Sequence, residues 1–111
     1  MAGHRQVARG NRAEVQPLVD EVVRVVCDHV HGEHVRLYLF GSWAQGRALP
    51  VSDLDIALDT GTLIDPATIQ RITESLDELP TLRKVDLVDL QAVDQEFRRR
   101  VMREGELIHV R

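Results

Sequence analysis

Between Glu14 and Val30 the apolar residues Val15, Leu18, Val19, Val22, Val23, Val26 and Val30 return every three or four positions, the spacing of one helix face. Pro17 must lie in the first turn, because deeper in a helix it would remove a hydrogen bond and clash. The valines give this segment a low helix propensity, so its apolar stripe needs a sheet to pack on. His34–Phe40 reads as the first strand of that sheet, stopped by Gly41, and Asp53–Leu58 as the second. Between them, Ser42 to Gly46 is expected to turn into a short helix, followed by a loop from Arg47 to Val51. Asp65 and Pro66 are a cap and first residue for the next helix, whose buried face is Ile69, Ile72, Leu76 and Leu79 and which Pro80 stops. Lys84–Leu90 gives a third strand, and Ala92–Arg103 a last helix with Val93, Phe97 and Val101 inside. Gly105 ends that helix, and Leu107–Val110 is a short edge strand. The order of elements predicts a small α/β (α+β) domain, a mixed sheet backed by helices, over residues 13–111. Residues 1–12 lack periodicity and read as a mobile basic tail.

Composition narrows the function classes. A chain of 111 residues holds one core. With 4% aromatic residues it shows no stacking platform for single-stranded nucleic acid, and its net charge of -4 argues against binding a duplex through phosphate neutralisation. The single Cys27 excludes an internal disulfide and fits a reducing compartment. No apolar run approaches the ~20 residues of a membrane span. The N-terminal stretch, with Arg5, Arg9 and Arg12 but no apolar core, does not read as a secretory signal. The expected location is the cytoplasm.

The chemistry concentrates in two places. Gly41 and Ser42 directly follow a strand, where glycine lets the backbone approach a ligand and the serine adds a donor for an anion. Asp53 and Asp55 are one residue apart at the head of the second strand, so they project from the same face. Two carboxylates on one face repel unless a cation sits between them. Asp53 alone would pass as a strand-start residue, whereas Asp55, flanked by Leu54 and Ile56, must be paired, hydrogen-bonded or metal-bound. Asp86, between Val85 and Leu87, is in the same position; its alternative is an ion pair with Lys84 or Arg83. Asp89 is the rival third carboxylate, and alternation lets only one of the two join the pair. Three aspartates on neighbouring strands would form an oxygen-rich site for Mg²⁺, and two such ions about 4 Å apart could hold a triphosphate and activate a hydroxyl.

Other candidates carry weaker patterns. Cys27, His29, His31 and His34 cluster near the end of the first helix, but their spacing matches no closed zinc motif. Arg98, Arg99, Arg100 and Arg103 form a solvated face that an acidic partner or a nucleotide phosphate could use. Trp43 fits either a packing role or a partner surface.

Gly41-Ser42-x-Ala44-x-Gly46, then Ser52-Asp53-x-Asp55, then Val85-Asp86-Leu87-Val88-Asp89 resembles the minimal nucleotidyltransferases of the DNA polymerase β superfamily. The resemblance runs from about residue 14 to 110. It implies that Gly41 and Ser42, with Gly46, Ser52 and Arg47, hold the phosphates of ATP or another NTP. It further implies that Asp53 and Asp55 ligate two Mg²⁺ ions, and that Asp86 completes one metal site and helps deprotonate the acceptor. One residue departs from the pattern: many relatives carry a basic side chain where this chain has Gln45, and Arg47 could supply that charge. With no second domain in these residues, the acceptor is expected to be presented by another protein. Minimal members of the family pair with all-helical HEPN proteins as antitoxins and transfer AMP to a HEPN tyrosine. Alternatives are a binding-only antitoxin that neutralises its partner without catalysis, and transfer to a small molecule such as an aminoglycoside in a pocket between subunits.

Overall fold

The computed structural model describes residues 8–32 and 34–111. A 3-10 turn at Arg12–Val15 leads into helix α1, Gln16–His29. Strand β1, Arg36–Phe40, and strand β2, Leu54–Asp59, follow, then helix α2, Pro66–Asp77. Strand β3, Val85–Asp89, helix α3, Gln95–Glu104, and strand β4, Glu106–Val110, complete the chain. The sheet order is β3-β2-β1-β4. β1 runs antiparallel to both β2 and β4, and β2 runs parallel to β3, so the sheet is mixed as the element order predicted.

Side-chain alternation divides the sheet into two unequal faces. Leu37 and Leu39 of β1 and Leu54, Ile56 and Leu58 of β2 lie beneath α1 and α2, where they meet Val19, Val22, Val26, Ile72 and Leu76. This larger core is the sheet support that the valine-rich helix lacked by propensity alone. The other face carries only a small cluster, Tyr38, Ala57, Leu90 and Val101, edged by Phe40, Val88 and Phe97 under α3. A single ten-residue helix covers it, so part of this face stays open to solvent. Among the described residues no helix is long and apolar enough to cross a membrane.

Several boundaries differ from the sequence reading, each for a local reason. Asn11 caps the 3-10 turn, accepting from the Ala13 N–H at 2.9 Å while Glu14 reaches back to the Asn11 N–H at 3.0 Å. α1 therefore starts only at Gln16, with Pro17 in its first turn. Residues 1–7 of the stretch read as a tail lie outside the described residues, whereas Gly10 N–H donates to Ala48 O at 2.8 Å and Arg12 bonds Glu106 at 2.9 Å. α3 begins at Gln95 because Asp94 caps it, its carboxylate accepting from the Phe97 N–H at 2.8 Å; Ala92 and Val93 fall in the preceding turn.

Candidate active site

β1 ends at Phe40, and the chain turns at Gly41, whose φ is +74. Only glycine adopts that conformation without strain, and here a Cβ would also overlap the Asp55 carboxylate. The turn closes at Gly46, with φ +71. The helix expected from Ser42 to Gly46 is absent: the segment is one wide turn, held by Gln45 N–H to Gly41 O at 3.1 Å and Arg47 N–H to Ser42 O at 2.9 Å. A left-handed glycine at each end reverses the chain before a second helical turn can form. Trp43 pins the turn from below; it is 3% exposed, and its indole N–H donates to Ser52 O at 3.1 Å under the Arg83 guanidinium. Trp43 is thus a packing residue. The backbone N–H groups of Ser42, Trp43 and Ala44 have no acceptor among the described residues and remain for an anion.

The carboxylates gather beside this turn. Asp55 pairs in register with Asp86 across the parallel β2–β3 ladder. Asp53 sits just before β2, two residues from Asp55 and on the same side. Burial pushes the Asp55 carboxyl above its ordinary range, and Asp86 and then Asp53 push it further, with Lys84 opposing. Lys84 Nζ lies 3.4 Å from Asp86 Oδ1, with both side chains well exposed, so the pair holds little energy and can open. Arg83, the other cation considered for Asp86, is instead bound to the carbonyls of Pro50 and Ser52.

Asp89 is elsewhere. It is 7% exposed on the α2 side of the sheet, where its carboxylate accepts from the N–H groups of Ile64 and Gln91, each at 2.9 Å. It clamps two loops. Ser52 accepts from the Leu49 N–H at 2.9 Å and so shapes the turn that delivers Asp53. His29 bonds Val25 O and faces Ser75, and Cys27 faces His109; His29, His31 and His34 line one pocket, but no three such side chains among the described residues are grouped to hold a metal.

Sequence reasoning named Arg47 and the Arg100 face for a phosphate but missed how Gln45, Phe97 and Glu104 join them across the sheet. Arg47 donates to Gln45 Oε1, and Gln45 Nε2 donates to Glu104 Oε2 at 2.8 Å, tying the turn to α3. Between them lies a cleft of about 250 Å³ lined by Gly41, Gln45, Arg47, Phe97, Arg100 and Glu104, among others. The signal was present as spacing: Phe97, Arg100, Val101 and Glu104 fall at i, i+3, i+4 and i+7, one helix face. Arg98, by contrast, reaches away to Gln91 and Asp59.

As they stand, no three His, Cys, Asp or Glu side chains among the described residues converge closely enough to form a metal cluster, the three aspartates included. The donor set nevertheless fits Mg²⁺. It is all carboxylate oxygen, burial and the Asp86 and Asp53 charges work against ionised Asp55 as an added cation would not, and Mg²⁺ takes one or two carboxylates together with substrate phosphates and water.

The family profile described as polymerase beta, nucleotidyltransferase matches residues 30–111. No curated protein matches the chain. Among solved structures, a toxin–antitoxin with AMP-PNP contains a chain 26% identical to this one, with a TM-score of 0.69 over 81% of this chain and 71% of that one. A protein described as a minimal nucleotidyltransferase is 25% identical, with a TM-score of 0.67 over 87% of this chain and 95% of its own. The tri-AMPylated HEPN toxin of Shewanella oneidensis in complex with its MNT antitoxin supplies a third likeness, in fold alone. There the identity is 22% and the TM-score 0.66, over 85% of this chain and 71% of that one.

Proposed function

Since this chain belongs to the polymerase beta nucleotidyltransferase family and is a nucleotidyltransferase, we propose that it transfers AMP from ATP to a tyrosine hydroxyl of an all-helical HEPN partner and acts as that partner's antitoxin. The observation that supports this reading is the register of Asp55 against Asp86 on the open sheet face, with the Asp53 charge acting on Asp55 and the Gly41–Ser42 turn abutting it. The 26% identical neighbour is a toxin–antitoxin crystallised with AMP-PNP, which supports both the nucleotide and the setting.

In the reaction the acceptor oxygen forms a bond to the α-phosphorus. The bond from that phosphorus to the bridging oxygen breaks, and pyrophosphate leaves with the electron pair. The unpaired N–H groups at Ser42 to Ala44 bind phosphate oxygens, with Gly41 letting the backbone come close and Gly46 closing the turn around them. Ser52 holds the approach to Asp53, and Arg47 adds positive charge at the edge of the turn. Two Mg²⁺ ions held by Asp53, Asp55 and Asp86 would supply neutralisation of the triphosphate and a more acidic acceptor hydroxyl. Asp86 accepts the proton once Lys84 has swung aside. Positioning and charge account for most of the rate enhancement in such a transfer. ATP and Mg²⁺ are both supplied in the cytoplasm, where we place the protein.

A second reading, neutralisation of the partner by binding alone, draws on one observation: the Lys84 ammonium rests against Asp86, where a catalytic cation would act. Intact-mass measurement of the partner separates the two. After incubation with this chain, Mg²⁺ and ATP, the partner is expected to gain one or more AMP masses, and to gain none with the Asp53→Asn/Asp55→Asn variant. A stable complex with no added mass would overturn catalysis in favour of binding.

A further inference from the structure

The segment that leads into the 3-10 turn lies against the back of the glycine turn rather than standing free. Gly10 N–H donates to Ala48 O at 2.8 Å, and Arg9 Nη1 donates to Gly46 O at 3.4 Å. The other end of this strap is fixed twice. Asn11 and Glu14 form a capping box, and Arg12 holds Glu106 at the start of β4 through two bonds, at 3.0 and 2.9 Å. The strap precedes residues 30–111, the part of the chain that matches the family profile.

Between these anchors Gly10 rests on Trp43 so closely that a Cβ there would overlap the outer edge of the indole ring. The Gly10 backbone is not left-handed, so the ring alone excludes a side chain. Trp43 is also the middle one of the three residues whose N–H groups remain for an anion. Its indole N–H bonds Ser52 O at 3.1 Å, on the loop that delivers Asp53, and its ring lies under Arg83, which grips the same loop at Pro50 and Ser52. With no helix behind it, the glycine turn depends for rigidity on what packs beneath it. A ring that shifts carries its own peptide N–H with it, and small displacements of positioning groups cost binding and rate.

We infer that the strap, residues 9–12, is a positioning element of the nucleotide site. Gly10 clamps Trp43, and through that ring it aims the Ser42–Ala44 N–H groups and the Asp53 loop at the triphosphate. The inference rests on the nucleotidyl-transfer reading above and deepens it. It makes nucleotide affinity depend on a segment outside the matched family region. Linkage makes the dependence mutual, so bound nucleotide tightens the strap.

Trp43 is the single tryptophan of the chain, so its emission reports the clamp directly. The full chain and its Gly10→Val and Arg12→Ala variants are compared by emission with acrylamide quenching and by calorimetric titration with Mg²⁺ and α,β-methylene-ATP. Gly10→Val is expected to shift the emission to the red and to weaken the analogue by about 5- to 20-fold in the folded protein. Saturating analogue should return that emission towards the parent's. Arg12→Ala, which frees only the far anchor, should give a smaller loss, and Arg12→Lys should recover part of it. A red-shifted Gly10→Val that binds the analogue as tightly as the parent would show that the strap supports only the fold, and would overturn the inference. Unshifted emission would overturn it as well. If Gly10→Val does not fold, Arg12→Ala decides, and an analogue affinity equal to the parent's overturns the inference. Strap-dependent analogue binding without AMP transfer to the partner keeps the inference and removes the transfer reading. Transfer by a parent whose variants bind unchanged does the opposite.

Discussion

Asp55 and Asp59 stand four residues apart on the same face of β2, and burial pushes both carboxyls up. At Asp59, 8% exposed, that push is outweighed. Its carboxylate accepts from the Gly61 N–H and from Gln91, each at 2.9 Å, and lies 3.6 Å from Arg98, so it is held below the ordinary range. At Asp55 the charges of Asp86 and Asp53 add to the push and outweigh Lys84, which opposes it. One strand thus carries a satisfied carboxylate at its far end and a frustrated one beside the glycine turn. Burial does not distinguish the two acids here; the sign of the surrounding charge does.

The contrast predicts opposite outcomes for the two ends. Replacing Asp53 and Asp55 together by Asn should reduce transfer by about 10³-fold or more. Far-ultraviolet circular dichroism should stay unchanged, because no partner is lost. Transfer at the unsubstituted rate would show that the frustrated end does no chemistry. Asp59→Ala should do the reverse: it strands the Gln91 amide and removes the partner of Arg98, lowering stability by about 2 kcal/mol in urea titration. The folded fraction should transfer normally. A catalytic loss at unchanged stability would erase the distinction.

Gly41→Ala joins both kinds of effect. A non-glycine residue in the left-handed region costs about 1–2 kcal/mol. The added Cβ also displaces the Asp55 carboxylate, so transfer should fall by more than stability alone explains. Rate measured against denaturation midpoint for the single variant decides this.

The smallest expected effect lies in the pH dependence of stability. A raised folded pKa at Asp55 means that the native state keeps a proton the unfolded chain has released. Asp55 therefore subtracts stability as pH climbs from the ordinary value of 3.8 through the raised one. Asp55→Asn should be more stable than the parent at neutral pH, with the advantage disappearing in acid. Asp59, with its lowered value, contributes stability above 3.8 that is lost as pH falls through the folded value, so the deficit of Asp59→Ala should shrink in acid. Urea titrations at pH 3, 5 and 7 check both signs; parallel curves for the two variants would refute the comparison.

Much of the architecture was legible because its signals are local. Helical spacing of the valines placed α1, the Asp65-Pro66 pair placed the start of α2, and period-two alternation put Asp53 and Asp55 on one face. The misread turn at Ser42–Gly46 had the same local origin: a serine after a glycine resembles a helix cap, and only the left-handed Gly46 shows that no helix follows. Alternation told Asp86 and Asp89 apart in direction but not which of them faces Asp55; only the family resemblance pointed to Asp86.

The sequence by itself determined the family motif, the order of elements and the shared face of Asp53 and Asp55, all of which follow from spacings along a few residues. Only the tertiary structure decided the rest. The parallel register set Asp86 against Asp55, the loop at Ile64 claimed Asp89, and the packing of α3 across the open face brought Arg100 and Glu104 to the glycine turn. Backbone periodicity repeats over two to four residues and is written into each segment. The tertiary contacts join residues 25 to 59 apart in sequence, where no local period reaches.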